Sequence, residues 1–240
     1  MIRFDSLKKT YKNKNHEVVK ALNGFSLEIS DNEVFALAGI NGAGKTTALK
    51  ALFNLIKLDE GKVEINFKDN TKPEIGFAPE IPDFPEYLCV KEVLETSCRL
   101  AGVKPTLDLL NKVYGLFELD NIKDKQVSTL SKGNRQRLSL ASAVVYEPEI
   151  VVFDEPTSGL DPLGRKLIKS AIKQLKSDGH TILFTTHMLA DLPELCDKMA
   201  VAHNGKIIFS GKVSDFSKDF SLEALEKSFA SLIELEDKNV

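Results

Sequence analysis

A glycine-rich segment that ends in lysine and threonine is the part of the sequence that most clearly indicates a binding site, and its residue types suit phosphate. Residues 39–46 match all eight positions of the pattern G-x-x-x-x-G-K-[ST] of a phosphate-binding loop, or P-loop. Glycines let successive backbone N–H groups face one anion, and the positive end of the following helix adds attraction. We expect Lys45 to reach the β- and γ-phosphates of a nucleoside triphosphate, and the Thr46 hydroxyl to bind Mg²⁺. A chance glycine-rich turn is the alternative.

Two carboxylates and a histidine also follow apolar runs of the sequence. Asp154 and Glu155 come directly after Ile150–Phe153, and His187 follows a run that begins at Thr181. Because ligands of open α/β sheets bind beyond the carboxyl ends of the strands, we expect these groups and the P-loop to meet in one crevice. Asp154 would bind Mg²⁺, Glu155 would orient and deprotonate the attacking water, and His187 would contact the γ-phosphate. The alternatives are a solvated strand end for the acidic pair and a hydrogen-bonded core residue for His187.

The apolar runs predict the sheet that must position these groups. Val34–Ala38, Ile150–Phe153 and Thr181–Phe184 are continuous rather than alternating, which is typical of parallel strands covered on both faces. The first 30 residues and Lys62–Phe67 alternate between apolar and polar residues, which indicates an antiparallel flank. We therefore predict an α/β P-loop NTPase core with a mixed, largely parallel sheet and an antiparallel β flank.

Helical patterns occupy the rest of the chain. Thr46–Ile56 predicts a helix directly after the P-loop, and Cys89–Lys125 is helical without a strand-like run. Three prolines at 79–85 separate this region from the preceding strand, because proline neither donates to a sheet nor continues a helix. We predict an inserted helical subdomain at residues 86–140 within an α/β core formed by residues 1–85 and 141–240.

An apolar repeat at helical spacing runs through the acidic segment after Asp215. It consists of Leu222, Leu225, Phe229, Leu232 and Ile233. The favoured interpretation is a helix that packs on the core, and the alternative is a regulatory or dimer contact.

Composition excludes several classes of protein. The 240 residues are 42% hydrophobic and 28% charged, which is typical of a globular chain and excludes disordered and collagen-like classes. The net charge of −3 argues against a nucleic-acid-binding surface spread over the whole molecule. No apolar run approaches the ~18 residues of a membrane span, and charges interrupt the first residues where a signal peptide is apolar. Three cysteines without metal-ligand spacing indicate buried thiols in a reducing, cytosolic compartment.

Further motifs resemble those of one family, the nucleotide-binding subunits of ABC transporters. Residues 130–137, Leu-Ser-Lys-Gly-Asn-Arg-Gln-Arg, resemble its signature motif and precede the acidic pair at the family's spacing. Residues 157–162 resemble the D-loop, 185–187 the histidine switch and 75–80 the Q-loop. A guanine-specific N-K-x-D motif is absent from the sequence, which argues against a GTPase.

The resemblance assigns roles to individual residues. Glu155 and His187 would be catalytic, and Tyr11 would stack on adenine, although a packed strand aromatic is the alternative. Mg²⁺ would be bound by Thr46, Asp154 and Glu80. The nucleotide would be bound by Asn41, Gly42, Ala43, Gly44, Lys45, Thr46 and Thr47, and in trans by Ser131, Lys132, Gly133 and Asn134 of the signature. Asp161 would be the aspartate of the D-loop.

The same resemblance implies an ATP-hydrolysing motor subunit. Two chains, as a homodimer or pseudo-dimer, would close on two MgATP and drive a separate transmembrane permease from the cytoplasmic face of the membrane. No nucleic-acid partner is expected. Glu80, Lys132 and Asn134 depart from the commonest family pattern and resemble the multidrug, peptide-antibiotic and ABC-2-type exporter ATPases, so export is the favoured direction.

Two rival functions stay open at this point. The first is a non-transport ABC ATPase that acts on ribosomes or nucleic acid, supported only by the lysines at 8, 9, 12 and 14, whose favoured interpretation is a solvated turn. The second is a regulatory module that binds ATP without turnover, against which the retention of Glu155 and His187 argues.

Overall fold

Strands and helices alternate along the chain much as the apolar patterns predict. The structure, a computed structural model, describes residues 1–12, 17–67 and 75–238. The strands within these ranges are β1 (Ile2–Lys12), β2 (Val18–Ile29), β3 (Val34–Ala38), β4 (Glu60–Ile65), β5 (Ile75–Ala78), β6 (Ile150–Phe153), β7 (Thr181–Thr186), β8 (Lys198–His203) and β9 (Lys206–Gly211). The helices are α1 (Lys45–Leu52), α2 (Val90–Leu100), α3 (Leu107–Phe117), α4 (Lys132–Val144), α5 (Pro162–Ser177), α6 (Leu192–Leu195), α7 (Val213–Phe216) and α8 (Leu222–Lys238).

The strands form a three-stranded sheet in the order β2-β1-β4 and a six-stranded sheet in the order β5-β6-β7-β3-β8-β9. The chain divides into two compact units, residues 1–66 with 185–240 and residues 67–184, which are described separately. Within the described ranges, the predicted α/β fold with a largely parallel sheet and an antiparallel flank is confirmed. The boundaries predicted for the helical subdomain, 86 and 140, stay a prediction.

The antiparallel flank of the first unit is held by alternating apolar side chains of β1 and β2. Ile2, Phe4 and Leu7 are buried, and β1 pairs antiparallel with both β2 and β4. The spacing from Phe4 to Leu7 departs from strict alternation because Ser6, at φ +50°, forms an irregularity in the register. A side chain on Gly61 of β4 would lie 2.5–2.8 Å from the backbone of β1 there, so glycine is required at that position.

The first unit also contains β3, which leads into the P-loop. Every residue of β3 is buried, and β3 pairs in parallel with β8. Helix α1 ends at Leu52, four residues before the predicted end at Ile56. The prediction was wrong there because Asn54 adopts φ +53°, a left-handed conformation that turns the chain out of the helix.

The second unit places parallel strands β5, β6 and β7 side by side. Helix α4 packs against β5 so closely that a Cβ atom on Gly76 would lie 1.8 Å from the carbonyl oxygen of Ala143. No rotamer change relieves a contact between a Cβ atom and backbone, so the helix itself would have to move. Gly76 therefore sets the distance between this helix and the sheet.

Replacement of Gly76 by alanine is expected to lower the free energy of unfolding by at least about 3 kcal/mol, because α4 must shift away from β5. Gly115 in α3 is the matched control, since a Cβ atom there meets nothing within 4 Å. Gly115→Ala should raise the free energy of unfolding by about 0.5–1 kcal/mol through helix propensity. Urea denaturation of both variants checks this, and equal stability of the two would contradict the packing of α4.

The three cysteines carry no disulfide. Cys98 is buried and Cys196 is half-buried, where the thiol donates to the carbonyl oxygen of Leu192 at 3.0 Å. Burial raises the pKa of Cys196 to about 12, so its thiol stays protonated at neutral pH. Cys89 is half-buried and lies directly before α2, so burial is confirmed fully only for Cys98.

The predicted turn at the basic cluster is a strand instead. Lys8, Lys9 and Lys12 lie in β1, and Lys14 lies outside the described residues. Lys8 forms an ion pair of 2.7 Å with Glu60, and Lys9 donates to the carbonyl oxygen of Lys57 at 2.7 Å. The turn prediction was wrong because pairing with β2 and β4 outweighs the local preference of consecutive charged residues.

Candidate functional site

The P-loop curls at the start of α1 in the first unit. Gly42 and Gly44 have φ values of +84° and +105°, which L-residues with side chains rarely adopt. Gly44 is the N-cap residue of α1 and provides no side-chain cap, and the first turn contains no acidic residue. The N-terminal N–H groups of α1 and its dipole therefore suit an anion. Thr46 is exposed and Thr47 is half-buried in that first turn.

Lys45 points into the loop that precedes it. Its side chain is buried, at 8% exposure, and Nζ donates to the carbonyl oxygens of Gly39 and Ile40 at 2.5 and 3.3 Å. An ammonium group held by two loop carbonyls lies within the curve of the P-loop, where it can meet a phosphate with little reorganisation. Asn41 is exposed and Ala43 is buried in the same loop.

A β-turn supports the back of the P-loop. The Gly205 amide donates to the carbonyl oxygen of Ala43 at 3.1 Å. A side chain on Gly44 would lie 2.6 Å from the Ala21 oxygen and 3.3 Å from Gly205 Cα. Gly44 is thus required both by its positive φ and by the close approach of Ala21 and Gly205.

His187 lies beside the P-loop in the first unit. The amide of Gly39 donates to the carbonyl oxygen of Thr186 at 3.3 Å, which joins the start of the loop to the end of β7. Thr186 Oγ1 accepts from the Met188 amide at 2.9 Å and fixes the turn that carries His187. The imidazole of His187 is exposed, which differs from the buried core histidine considered as its alternative.

Tyr11 is 40% exposed near the end of β1. The Nζ atom of Lys9 lies 5.4 Å from the centre of its ring, within the range of a cation–π contact. This exposure argues against a packed core aromatic, and the stacking role of Tyr11 stays a prediction.

The second unit presents the acidic pair at the carboxyl end of β6. Asp154 and Glu155 are 8% and 6% exposed, although each carries a carboxylate. Glu155 adopts φ +49°, a left-handed conformation that costs about 1–3 kcal/mol for a residue with a side chain. The surrounding turn stabilises it, since Ser158 donates to the carbonyl oxygen of Glu155 at 3.1 Å. A strained, buried carboxylate at a strand end is typical of an active site rather than of a solvated strand end.

Glu80 shares this edge of the sheet. Ala78 pairs with Phe153 in the parallel register, and the Asp154 amide donates to the carbonyl oxygen of Ala78 at 2.9 Å. Two residues after Ala78, Glu80 is exposed. Glu80 and the acidic pair therefore follow neighbouring strands at the same carboxyl edge of the sheet.

The signature and the D-loop line one pocket of the second unit, of about 830 Å³. Ser131 is the N-cap of α4, and its Oγ accepts from the Asn134 amide at 3.2 Å. Helix α4 begins at Lys132, so Gly133 lies in its first turn. Asp161 caps α5 in the same way, with Oδ1 accepting from the Gly164 amide at 2.7 Å.

Two of the three departures from the family pattern, Lys132 and Asn134, contact other residues of the second unit. The Nζ atom of Lys132 lies 2.6 Å from where a Cβ atom of Gly159 would be, so the lysine passes directly over the D-loop glycine. The side chain of Asn134 accepts a hydrogen bond from Arg137. Both substitutions are thereby accommodated by neighbouring groups of the same unit.

The structure thus joins the P-loop with His187 in the first unit, and the signature with the D-loop in the second. The predicted meeting of the P-loop, the acidic pair and His187 in one crevice stays a prediction. Sequence reasoning missed the turn at Asn204 and Gly205 behind the P-loop. Their dipeptide is a known signal for a hairpin turn, but nothing local indicates what that turn supports.

Comparisons with known proteins place this geometry in one family. The sequence model of the ABC transporter family matches residues 22–158. The ABC transporter ATP-binding protein NatA of Bacillus subtilis (strain 168) is 33% identical over 228 residues, which cover 90% of this chain and 91% of NatA. The Nod factor export ATP-binding protein I of Burkholderia orbicola (strain AU 1054) is 33% identical over 218 residues, which cover 88% of this chain and 70% of that protein.

The chain belongs to the ABC transporter ATP-binding family. Among solved structures, two dimeric structures of the ABC transporter cassette MJ0796 match with a TM-score of 0.77 and 25% identity, over 89% of this chain and 99% of MJ0796. One of them is a post-hydrolysis state bound to ADP and Pi. The prediction of an ATP-hydrolysing motor subunit of an ABC transporter is therefore confirmed.

The described ranges of this ABC subunit contain no helix that is both long enough and apolar enough to cross a bilayer. Because the chain belongs to this family, roles can be proposed for its individual residues.

Proposed function

We propose that the P-loop and His187 of the first unit hold the triphosphate of ATP, and that Glu155 deprotonates the attacking water. The observation that carries this proposal is the first turn of α1, which has no side-chain cap and no acidic residue and follows a loop with Lys45 buried inside it. Lys45 would contact the β- and γ-phosphates, and the imidazole of His187 would contact the γ-phosphate. Asn41, Gly42, Ala43, Gly44 and Thr47 would enclose the phosphates, and Tyr11 would stack on adenine.

Mg²⁺ would be held by oxygen ligands, namely the hydroxyl of Thr46 and the carboxylates of Asp154 and Glu80. Within the second unit, Glu80 leaves the sheet at the same edge as Asp154. Mg²⁺ prefers oxygen ligands and is commonly held by one or two carboxylates together with substrate phosphates. When bound, the ion would neutralise phosphate charge. Glu155 would then accept the proton of the water, as its buried carboxylate at a strand end allows.

The signature pocket of the second unit would receive the ATP that a second cassette holds. Ser131 and Lys132 are exposed at the start of α4, and no acidic residue lies in its first turn. Gly133, Asn134 and Asp161 lie at the same helix starts, which are suited to an anion. A twofold dimer then forms two composite sites, because each chain contributes one P-loop and one signature.

The membrane partner would be a separate permease subunit at the cytoplasmic face of the membrane, and the proposed direction is export. Similarity to the Nod factor export ATP-binding protein I supports that direction. Glu80, Lys132 and Asn134 support it as well, since they resemble exporter ATPases.

Affinity purification of the tagged chain from detergent-solubilised membranes of its host tests the partner. A stoichiometric multi-span membrane protein is the expected result. Recovery of ribosomes or nucleic acid without a membrane protein would instead support a non-transport ABC ATPase. A tagged Lys45→Ala chain in parallel shows whether the association depends on nucleotide.

A further inference from the structure

Helix α8 lies beside the switch histidine at its first turns. It packs against the short 3₁₀ helix Leu189–Asp191, and Leu225 is fully buried there. A pocket of about 380 Å³ is lined on one side by this helix and on the other by the P-loop and the switch, through Leu222, Glu226, Phe229, Gly39, Ile40 and His187. The packing predicted for this helix is complete only at Leu225, since Leu222 is 47% exposed, and it lies next to the P-loop and His187.

The other end of α8 reaches the turn between β8 and β9. Asp237 Oδ1 lies 2.7 Å from His203 Nε2, and the Asn204 side-chain amide donates to the same oxygen at 3.4 Å. Glu236 forms a longer ion pair of 3.5 Å with Lys206. His203 is 4% exposed, so this contact closes over a buried imidazole. Sequence reasoning gave His203 no role.

This turn supports the P-loop directly. Asn204 and Gly205 have φ values of +46° and +75°, and the Gly205 amide donates to the carbonyl oxygen of Ala43 at 3.1 Å. One residue before His203, the carbonyl oxygen of Ala202 would lie 2.7 Å from a Cβ atom of Gly39. The turn therefore contacts the P-loop at Ala43, and β8, which leads into the turn, passes close to Gly39 at the start of the loop. A shift of the turn reaches the N–H groups that would face phosphate.

We propose that Asp237 is a positioning residue for the P-loop, acting through His203 and the Asn204–Gly205 turn. The inference rests on the proposed function, in which that loop holds the triphosphate of ATP. The carboxylate fixes the imidazole and the amide, and the fixed turn keeps the loop in its binding conformation before ATP arrives. A preorganised loop loses less entropy on binding, so the effect appears in affinity for ATP.

The test compares Asp237→Asn with Glu234→Gln, a matched loss of one carboxylate at an exposed position of the same helix. Titration with a fluorescent ATP analogue and steady-state kinetics give affinity, KM and kcat. We expect Asp237→Asn to raise Kd and KM by about fivefold with kcat within about twofold, because one charge-assisted contact is weakened outside the catalytic groups. Glu234→Gln should match the wild type, and Asp237→Glu should recover most of the affinity.

A second variant covers the case in which Asp237→Asn folds poorly. Asn204 is exposed and has a positive φ, which aspartate also tolerates, so Asn204→Asp should keep the turn. The new carboxylate would repel that of Asp237, because both are negatively charged. It should raise KM as well and accelerate hydrogen exchange of the Gly205 amide. Wild-type affinity and exchange in both variants, or a loss of kcat without a change in KM, would overturn the positioning role. A wild-type chain that binds no ATP would instead overturn the proposed function itself.

Discussion

Replacing Glu155 by glutamine is expected to lower the steady-state ATPase rate by about a thousandfold, since a positioned general base contributes about 10²–10⁴ to the rate. Glutamine keeps the volume of the buried side chain and the same backbone preferences, so the left-handed turn at this residue should persist. ATP binding should stay intact because the P-loop lies in the other unit. With turnover blocked, the ATP-bound dimer should accumulate. Multi-angle light scattering with ATP and Mg²⁺ measures that dimer.

Glu28→Gln serves as the matched control, because Glu28 is exposed on β2. Its rate and its oligomeric state should equal those of the wild type. A Glu155→Gln chain that still hydrolyses ATP at the wild-type rate would remove Glu155 from the reaction. A variant that is inactive but stays monomeric at saturating ATP would argue against the composite sites formed with the signature pocket.

Loss of the Lys45 ammonium is expected to weaken ATP binding between about tenfold and a hundredfold. Hydrogen bonds to charged groups contribute about 1.5–3 kcal/mol, and each 1.4 kcal/mol is a factor of ten in affinity. Lys45 is buried within the loop, so the variant Lys45→Met, which keeps the aliphatic stem, separates charge from packing. Isothermal titration calorimetry with ATP measures both Lys45→Ala and Lys45→Met.

Lys50→Ala is the control for this pair, since Lys50 is exposed in the last turn of the same helix. It changes the net charge equally without touching the loop, and its affinity should equal that of the wild type. Unchanged affinity in both Lys45 variants would contradict the P-loop assignment. If ATP affinity falls in Lys45→Ala but stays at the wild-type value in Lys45→Met, the lysine contributes through packing of its aliphatic stem rather than through contact with phosphate.

Two of the strands that lead to the candidate site, β3 and β6, could be predicted to the residue, whereas β7 continues two residues beyond its predicted end at Phe184. β3 and β6 have the bounds of their apolar runs, because a strand buried on both faces needs an unbroken apolar sequence. The turn of the P-loop is equally local, since Gly42 and Gly44 adopt positive φ values within the segment itself. Helix ends were less accurate: α1 ends at Leu52 rather than at Ile56, because Asn54 in its left-handed conformation turns the chain out of the helix. Such ends depend on how the following chain packs, which the apolar repeat alone does not contain.

The sequence by itself thus determined the fold class, the P-loop and the strand-end position of the acidic pair, because each depends on neighbours in the chain. Only the tertiary structure decided that Gly205 supports Ala43, that Lys132 passes over Gly159 and that Asp237 holds His203. The partners in each of these contacts are far apart in sequence or separated by turns. Their contacts follow from the packing of whole elements, in which many weak interactions act together, and no local pattern of residue types specifies them.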